Sequence, residues 1–521
     1  MPQMNRKGIA VAKEELFYYL FIAITMGAKG IGLTGGQKIF TACMAAAYIC
    51  LAVKLLLTEY TVREWILNLF LILLAFLIGR SSGETAALAA VGMIIGMKNV
   101  PLRRVMKAAL LIWGSTFLFS VLRGIFLGDH GVVVVHSKLG LGPIIRYSLN
   151  YTHPNVLHVT YFIVMLLLLY VLSLRGRKLW LLSGLLFAGN LYIFLYSISY
   201  TGMIIVTFAL ALNLYFDARK RISKGERFLM NCFVPFCIIF PLAGPFLLKG
   251  AAFDFFNKLL STRFELVYFY FTDFMVSLFG TRTVIQSGHL TLDSSFAYLL
   301  MYYGVIAFIL MVGAYILCTH WCIRVDKRKE TLILLAVALA GVTEQFLFNL
   351  SFKNITFFLI GDYLFRMLSV DGGTVWTRKI RILRLGREPL RIPVMAGLAA
   401  ERRDGRRKQR GWLAAAFLAA ALCGGLCAAY GSRYDQVYVN RGLCDYEGEY
   451  FIAEENQQWK EGSLFIGDMA PGEKIYEFRG NITGLERVRG IVSAAVWGGA
   501  AGAGIWVMLS RVSCGKKNTE E

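Results

Sequence analysis

The sequence predicts an all-α, polytopic integral membrane protein that carries a small extracytoplasmic β-rich module. Of its 521 residues 57% are hydrophobic, and the apolar residues are gathered into repeated blocks. Each block is roughly 20 residues long, enough for a helix to cross the hydrocarbon of a bilayer. Helices are expected because a backbone in lipid must satisfy its own polar groups. Lys and Arg lie in short clusters between the blocks, as in cytoplasmic loops.

About 14 blocks qualify as transmembrane helices, twelve in a core and two appended to it. They cover 16–32, 39–57, 65–79, 84–97, 108–127, 155–174, 179–196, 199–216, 228–248, 294–323, 331–350, 355–370, 411–430 and 490–510. With the N-terminus inside, every basic cluster falls on one side, so both termini are predicted to be cytoplasmic. The first block lacks a small-residue cleavage site and is therefore interpreted as a retained helix.

The blocks divide the chain into six parts. These are a membrane core at 1–370, a basic cytoplasmic linker or interfacial helix at 371–410, a transmembrane helix at 411–430, an acidic extracytoplasmic module at 431–489, a transmembrane helix at 490–510 and a cytoplasmic tail at 511–521. The module holds 11 of the 33 acidic residues, and its short runs at 450–452 and 463–466 are typical of strands. In the linker, Trp376 and Ile380 interleave with arginines, which suits an interfacial helix as well as an ordinary linker.

Composition excludes several classes of function. The formal charge of +22 is spread over loops that obey the positive-inside pattern, so no nucleic-acid partner is expected. Most of the ten cysteines lie inside apolar blocks, and pairs such as Cys318 and Cys322 lack the neighbouring ligands of a metal site. We therefore expect no metal and no cofactor. Cytoplasmic segments contain no phosphate-binding glycine loop, which argues against ATP-driven transport within this chain.

A polar loop enters an apolar helix at Tyr151-Thr152-His153-Pro154-Asn155. Proline suits the first turn of a helix, where its missing N–H is no loss. One interpretation is a helix-capping loop. The other is a functional imidazole at the membrane surface, with Asn155 orienting a ligand or the loop.

The predicted outer loop 249–293 concentrates further polar groups. Arg263 follows Leu259-Leu260 near the membrane surface, and its planar fork matches a phosphate or a carboxylate. A structural ion pair with Glu265 or Asp273 is the alternative. Asp293 precedes a helix and is interpreted as its N-terminal cap or as a functional carboxylate.

The conspicuous ionisable residues within predicted spans are Arg123, Glu344, Asp362 and Arg366. Glu344 is expected near the outer end of its helix. Asp362 and Arg366 are spaced i,i+4 and are expected to neutralise each other.

Taken together, these motifs resemble the O-antigen polymerase and ligase superfamily, in particular the Wzy-type capsular and exopolysaccharide polymerases of Gram-positive bacteria. The similar residues are Tyr151-Thr152-His153-Pro154-Asn155, Tyr196-Ser197-Ile198-Ser199-Tyr200-Thr201-Gly202, Asn257-Lys258-Leu259-Leu260-Ser261-Thr262-Arg263, Leu278-Phe279-Gly280, Leu292-Asp293-Ser294-Ser295-Phe296 and Tyr303-Gly304. The resemblance covers roughly residues 15–370, with Glu344 and Asn354 matching only loosely. Tyr200 stands where the family usually has arginine, Thr262 replaces a glycine, and Ser294 replaces an asparagine.

The resemblance implies glycosyl transfer on the outer face of a bacterial plasma membrane. The donor is expected to be a growing glycan on a polyprenyl diphosphate, and the acceptor a sugar hydroxyl of another lipid-linked repeat unit. Arg263 is assigned to the diphosphate, with Arg282 or Arg146 assisting, because fixed cations favour a departing anion. His153 is the candidate base or acceptor-positioning group, and Asp293 the partner of an arginine or the base itself. Asn155, His289 and Glu344 are expected to bind substrate.

Expected partners are the lipid-linked glycans, membrane lipids, and a chain-length regulator or flippase. Three other functions stay open. A ligase of the same superfamily would transfer a finished glycan once. A lipid-linked glycan transporter would use Arg123, Arg366 and Glu344 as intramembrane charges near the bilayer midplane. A regulatory family member is suggested by Tyr200 and by the appended module.

Overall fold

The chain is a mostly helical, multi-pass membrane protein, seen here in a computed structural model. The structure describes residues 9–127, 133–138, 142–283, 291–369, 375–383, 390–392, 406–431, 437–440, 463–470, 473–478 and 481–517. By their contacts these residues divide into two units. The larger unit contains most of the chain up to residue 393, and the smaller unit contains 131–148, 195–198 and the chain after 393.

Fifteen helices precede the linker in the described residues. They are α1 (Lys13–Gly30), α2 (Lys38–Leu57), α3 (Val62–Ser82), α4 (Ala86–Ile95), α5 (Leu102–Phe126), α6 (Pro154–Leu172), α7 (Gly176–Ser197), α8 (Tyr200–Ala218), α9 (Lys224–Leu247), α10 (Ala251–Leu259), α11 (Arg263–Asp273), α12 (Ser295–Tyr298), α13 (Gly304–Arg324), α14 (Arg328–Thr343) and α15 (Thr356–Leu368). A π-helical turn at Leu299–Tyr303 joins α12 to α13, and a 3₁₀ turn at Gln345–Leu347 follows α14.

Ten helices in the described part of the chain are long and apolar enough to cross a membrane. The predicted spans at 16–32, 84–97, 331–350 and 355–370 are helical but are not among them. The first corresponds to α1, of 18 residues, which includes Lys13, Glu14 and Glu15. The other three are α4, α14 and α15, of 10, 16 and 13 residues. The predicted number of fourteen spans is therefore not confirmed.

The core of the larger unit is formed around α6 and α14. Both helices are apolar on all sides, a pattern typical of a helix surrounded by other helices. In α6, 67% of the apolar stretch is buried, against 28% of that of α3. From Thr331 to Ala338, every residue of α14 is buried. Helices such as α3 expose one apolar face, as expected for a helix that borders lipid.

Two short antiparallel strand pairs belong to the larger unit. β1 (Ile9–Val11) pairs with β6 (Leu390–Ile392), and β2 (Tyr60–Thr61) pairs with β5 (Lys379–Ile380). β5 and β6 lie in the basic linker. Within its described residues 375–383 and 390–392, this linker forms a 3₁₀ turn and two strands and does not form the interfacial helix offered as one alternative. Backbone pairing with distant segments, which local residue spacing does not encode, competes with the helix.

The smaller unit contains a helix pair, α16 (Arg406–Gly431) and α17 (Asn481–Lys517). Small residues line the seam of this pair, where a Cβ added to Gly424 would lie 2.5 Å from the Ala494 carbonyl oxygen. A Cβ added to Gly502 would lie 2.4 Å from that of Ala420. Such seams let membrane helices approach closely, since their association depends on van der Waals packing.

Five strands complete the smaller unit in its described residues. β3 (Val133–Lys138) and β4 (Gly142–Tyr147) form an antiparallel hairpin. β7 (Val437–Asn440), β8 (Ser463–Ala470) and β9 (Glu473–Phe478) form an antiparallel sheet in the order β7-β9-β8. The predicted strand at 463–466 lies within β8, and the one at 450–452 lies outside the described residues.

Arg489, in α17, joins three segments of the smaller unit. Its guanidinium donates to the carbonyls of Leu195 at 2.5 Å and Ile145 at 2.6 Å, and it pairs with Glu486. It also lies 4.8 Å from the ring centre of Tyr147. The buried charge is therefore fully engaged, which identifies Arg489 as a structural residue of this unit.

Candidate functional site

Arg263 begins α11 after a sharp reversal of the backbone. Ser261 and Thr262 have φ angles of 54° and 64°, in the left-handed region. That region suits glycine and is strained for a β-branched residue, so the glycine of the resembled motif fits position 262 better than Thr262 does. The turn is held by the Thr262 amide, which donates to the Asn257 carbonyl at 2.8 Å. It directs the Arg263 side chain into the unit instead of towards solvent.

The Arg263 guanidinium is buried, with 6% of the residue exposed. Its Nε donates to the Thr343 carbonyl at 2.6 Å, and its Nη1 to the Leu260 carbonyl at 2.8 Å. Its Nη2 lies 3.3 Å from Asp293 Oδ2 and 3.6 Å from Glu344 Oε1. These two carboxylates replace Glu265 and Asp273, the partners considered from the sequence. We call Arg263, Asp293, Glu344 and Thr201 the Arg263 cluster.

Glu344 lies just beyond a helix end, which corrects the predicted helix at 331–350. The helix α14 stops at Thr343, and Glu344 is extended with φ −131° and ψ 132°. The helix ends here because Arg263 satisfies the Thr343 carbonyl, while the Ser295 hydroxyl donates to the Glu344 carbonyl. A cation at the C-terminus of a helix is also favoured by the helix dipole. The Glu344 side chain can therefore reach Arg263.

Thr201 is a member of the cluster that the sequence did not identify. Its hydroxyl donates to Glu344 Oε1 at 2.9 Å. Thr201 lies in the first turn of α8, where Ser199 caps the helix by accepting from the Gly202 amide at 3.3 Å. The signal in the sequence that could have identified Thr201 was the Ser-Tyr-Thr-Gly turn, because Thr201 is the threonine of that turn. Tyr200, in the place of the family's arginine, instead stacks against Phe194 at 5.8 Å.

Asp293 is an ion-pair partner of Arg263 and does not cap the next helix. The N-cap position of α12 belongs to Ser294. The Asp293 side chain is 32% exposed, and it accepts from the Thr291 hydroxyl at 3.3 Å. Burial raises the pKa of this carboxyl above its usual value, and the Arg263 guanidinium opposes the rise. Asp293 is therefore the more exposed of the cluster's two carboxylates.

His153 adopts the capping role that was one of its two interpretations. It occupies the N-cap of α6, and its Nδ1 accepts from the Asn155 amide at 3.1 Å. Pro154 follows in the first turn. The backbone of Asn155 is thereby fixed by His153, and both side chains are half-buried.

Three further site residues were predicted, namely Arg146, Arg282 and His289. Arg146 belongs to the smaller unit, where its Nε donates to the Ser197 carbonyl at 2.7 Å. Arg282 is exposed, and no contact with the cluster is found in the described residues. His289 lies outside the described residues.

Two resembled glycine motifs have a packing role. Gly280 and Gly304 have φ angles of 89° and 82°, and their backbones touch. A Cβ added to Gly280 would lie 2.0 Å from the Tyr302 carbonyl oxygen. The Thr281 amide donates to the Met301 carbonyl at 2.8 Å, which ties the chain before Asp293 to the π-helical turn.

Asn354 staples the short loop that follows Glu344. Its Nδ2 donates to the Leu347 carbonyl at 2.9 Å and to the Tyr315 hydroxyl at 3.0 Å, and its Oδ1 accepts from the Thr356 amide at 3.2 Å. The residue is buried. The loop from Glu344 to Ile355 is therefore rigid, and Asn354 has a structural role.

Of the three intramembrane charges that a transporter would use, Glu344 belongs to the Arg263 cluster, whereas the two arginines are exposed. Arg123 is exposed, and Arg366 is exposed with its Nε 2.8 Å from Asp362 Oδ2. The latter contact is the neutralising i,i+4 pair expected from the sequence. Among the described residues, no group of three or more His, Cys, Asp and Glu side chains is placed to hold a metal ion.

The Arg263 cluster can bind an anion by exchange. Arg263 is preorganised by two carbonyls, and a phosphate that displaced Asp293 would find a planar guanidinium already oriented.

Comparison of the chain with protein-family models, with curated proteins and with solved structures finds no match.

Proposed function

We propose that the protein polymerises polyprenyl-diphosphate-linked repeat units into a capsular or exopolysaccharide on the outer face of a bacterial plasma membrane. The observation that carries the proposal is the Arg263 cluster. It joins three separate motifs, each of which resembles a motif of one polymerase and ligase superfamily. Thr201 and Asp293 are distant in sequence, yet both serve one guanidinium through direct contact or through Glu344.

In the proposed reaction Arg263 binds the diphosphate of the donor. A hydroxyl of the acceptor sugar forms a bond to the anomeric carbon, and the bond from that carbon to the diphosphate oxygen breaks. The electron pair leaves with the polyprenyl diphosphate, whose negative charge Arg263 stabilises. Glu344 and Thr201 orient the guanidinium. Asp293 neutralises it in the absence of substrate and gives way to the diphosphate.

The test measures product length. Purified protein in lipid vesicles is incubated with a lipid-linked repeat unit, and the products are separated by size. We expect a ladder from the natural sequence. For Arg263→Lys we expect at least a ~100-fold lower rate, because a single ammonium cannot reproduce the planar fork. Arg366→Lys is the control for the same substitution outside the cluster. Like Arg263, Arg366 forms an ion pair with a carboxylate, but its side chain is exposed.

Each rival predicts a different product. A single added block would identify a ligase. An absence of new glycosidic bonds, with the lipid-linked unit moved across the vesicle membrane and Arg366→Lys impaired, would identify a transporter. A full ladder from Arg263→Lys would refute the assignment of Arg263 to the diphosphate.

The module at 431–489 is proposed to lie on the same face as the cluster. There it would meet the glycan or a chain-length regulator. Protease added outside intact cells should cleave this segment and leave 371–383 intact.

A further inference from the structure

Lys353 is a buried cation that the proposed reaction has not yet used. It lies in the loop between α14 and α15, with 4% of the residue exposed. Glu344, the partner of Arg263, begins the same loop. Lys353 was absent from the candidate residues because a lone lysine between two apolar blocks carries no motif.

Two aromatic faces surround the Lys353 amine. Its Nζ lies 5.6 Å from the ring centre of Trp113, in α5, and 5.5 Å from that of Tyr151. Tyr151 belongs to the loop that leads into His153 and α6. In the described part of the chain these ring contacts are the interactions found for the amine, and neither is a hydrogen bond or an ion pair. A buried ammonium that has ring contacts but neither a hydrogen bond nor an ion pair is poorly stabilised compared with a neutral amine.

The charges around Lys353 also favour the neutral amine. Burial, together with a smaller effect of the ammonium of Lys29 at the end of α1, lowers its pKa to about 7. The Glu344 carboxylate opposes this shift. Tyr151 faces the amine from the α6 side, and its own pKa is raised by burial, so it stays neutral.

The backbone places Lys353 at the expense of strain. The preceding residue, Phe352, is buried and has a φ of 55°, in the left-handed region. A bulky residue rarely adopts that conformation unless the surrounding structure imposes it. On the other side of Lys353, Asn354 fixes the loop through its hydrogen bonds to Tyr315, Leu347 and Thr356. Strain stored beside an unpaired buried amine is typical of a functional position.

We propose that Lys353 is the catalytic base of the glycosyl transfer, the group that accepts the proton of the acceptor hydroxyl. This inference rests on the proposed function. As the acceptor oxygen bonds to the anomeric carbon, its proton passes to Nζ, and the electron pair of the broken bond leaves with the diphosphate. The resulting ammonium then releases the proton to water. Arg263 and Lys353 thus divide the work, one holding the leaving group and one activating the acceptor.

The experiment is a pH profile of chain elongation in the vesicle assay. The natural sequence should lose rate about tenfold per pH unit below about pH 7, because a protonated amine cannot accept a proton. Lys353→Arg, which stays charged, should be at least ~100-fold slower and should lack this acid limb. Lys353→Met, an apolar side chain suited to the aromatic surroundings, should behave alike. Both variants should bind the lipid-linked donor within about twofold of the natural sequence, whereas Arg263→Lys should not.

Lys327→Arg is the matched control, because Lys327 lies 4.2 Å from the ring centre of Trp321 at a distance from the cluster's loops. It should retain both rate and acid limb. An unchanged profile in Lys353→Arg, with a normal ladder from the natural sequence, would overturn the role of Lys353 and leave the proposed function standing. So would a natural profile that is flat near pH 7, a result that needs no folded variant. No product from the natural sequence would overturn both.

Discussion

Arg263 is oriented by four groups from three segments of the chain. The carbonyls of Leu260 and Thr343 fix the plane of the guanidinium, while Asp293 and Glu344 supply its charge balance. Residue types in the sequence identified Arg263, Asp293 and Glu344 separately. They did not reveal the contacts, because these depend on a helix end and a left-handed turn that bring together residues 80 positions apart.

His153 offers a prediction that separates helix capping from proton transfer. In His153→Asn the amide oxygen can accept from the Asn155 backbone as the imidazole does, since asparagine is a favoured N-cap. We expect the variant to keep its thermal stability and to elongate glycans within about threefold of the natural rate. His153→Ala should lose ~1 kcal/mol of stability, measured by unfolding in detergent. A stable His153→Asn protein that makes no polymer would return the role of base to the imidazole.

At the scale of the elements, close packing at glycines positions the cluster. Gly202 lies against His158, and a Cβ there would be 2.4 Å from the imidazole ring. His158 is buried, and its Nε2 lies 2.7 Å from Asn190 Oδ1. The contact between α8 and α6 at Gly202 therefore fixes the position of the preceding residue, Thr201, relative to Glu344.

Gly202→Ala should destabilise the protein by ~1–3 kcal/mol, since the added methyl overfills this contact. It should also lower the elongation rate by displacing Thr201. Gly184→Ala in α7 is the matched control, because nothing lies within 4 Å of an added Cβ there. The control should be neutral or slightly stabilising, as alanine favours a helix. Equal melting temperatures for the two variants would contradict the packing argument.

Comparing Gly280 with Gly36 separates the effect of backbone strain at positive φ from that of steric overlap with a neighbouring atom. Gly280 and Gly36 have φ angles of 89° and 91°, but only Gly280 faces a neighbouring atom within 4 Å. Gly36→Ala should cost ~1–2 kcal/mol through the left-handed backbone alone. Gly280→Ala should cost at least ~2 kcal/mol more, because a carbonyl occupies the place of its Cβ. If both variants unfold at the same denaturant concentration, the contact with the π-helical turn is unimportant for stability.

Element boundaries show which information the sequence lacks. Apolar blocks predict α2 and α6 well, because each helix is apolar over a membrane-spanning length. The block at 294–323 covers α12, the π-helical turn and α13 together, and the turn itself was not predicted. The apolar blocks fail at 331–350, where the hydrophobic run continues but the helix stops at Thr343. The cause is a hydrogen bond from Arg263, in a different element. The two strands of the linker were not predicted either, because each is formed by pairing with a segment distant in sequence. Their partners are β1, near the N-terminus, and β2.

At the scale of the whole molecule, the orientation in the membrane is a prediction from charge alone. A fluorescent protein fused after Ser223 or Ser369 should mature in the cytoplasm, and alkaline phosphatase fused after Leu260 should be active outside. This follows if basic clusters stay inside. Inactive phosphatase after Leu260, with a phosphatase signal after Ser223, would invert the molecule and place the Arg263 cluster on the cytoplasmic side. The same experiment also tests the number of spans. One span more or fewer between Ser223 and Ser369 would place these two positions on opposite sides of the membrane.

The carboxylates on Arg263 have a consequence for selectivity among anions. A guanidinium that is already paired with carboxylates binds another anion only by displacing one of them. Anions that bind arginine weakly therefore do not bind at physiological concentrations. Chloride and singly charged phosphates lack the charge to displace Asp293, whereas a diphosphate gains two oxygens on one planar fork. We expect the resting protein to ignore ordinary salts and to respond to pyrophosphate analogues. An inhibitor aimed at this position would need a doubly charged head group.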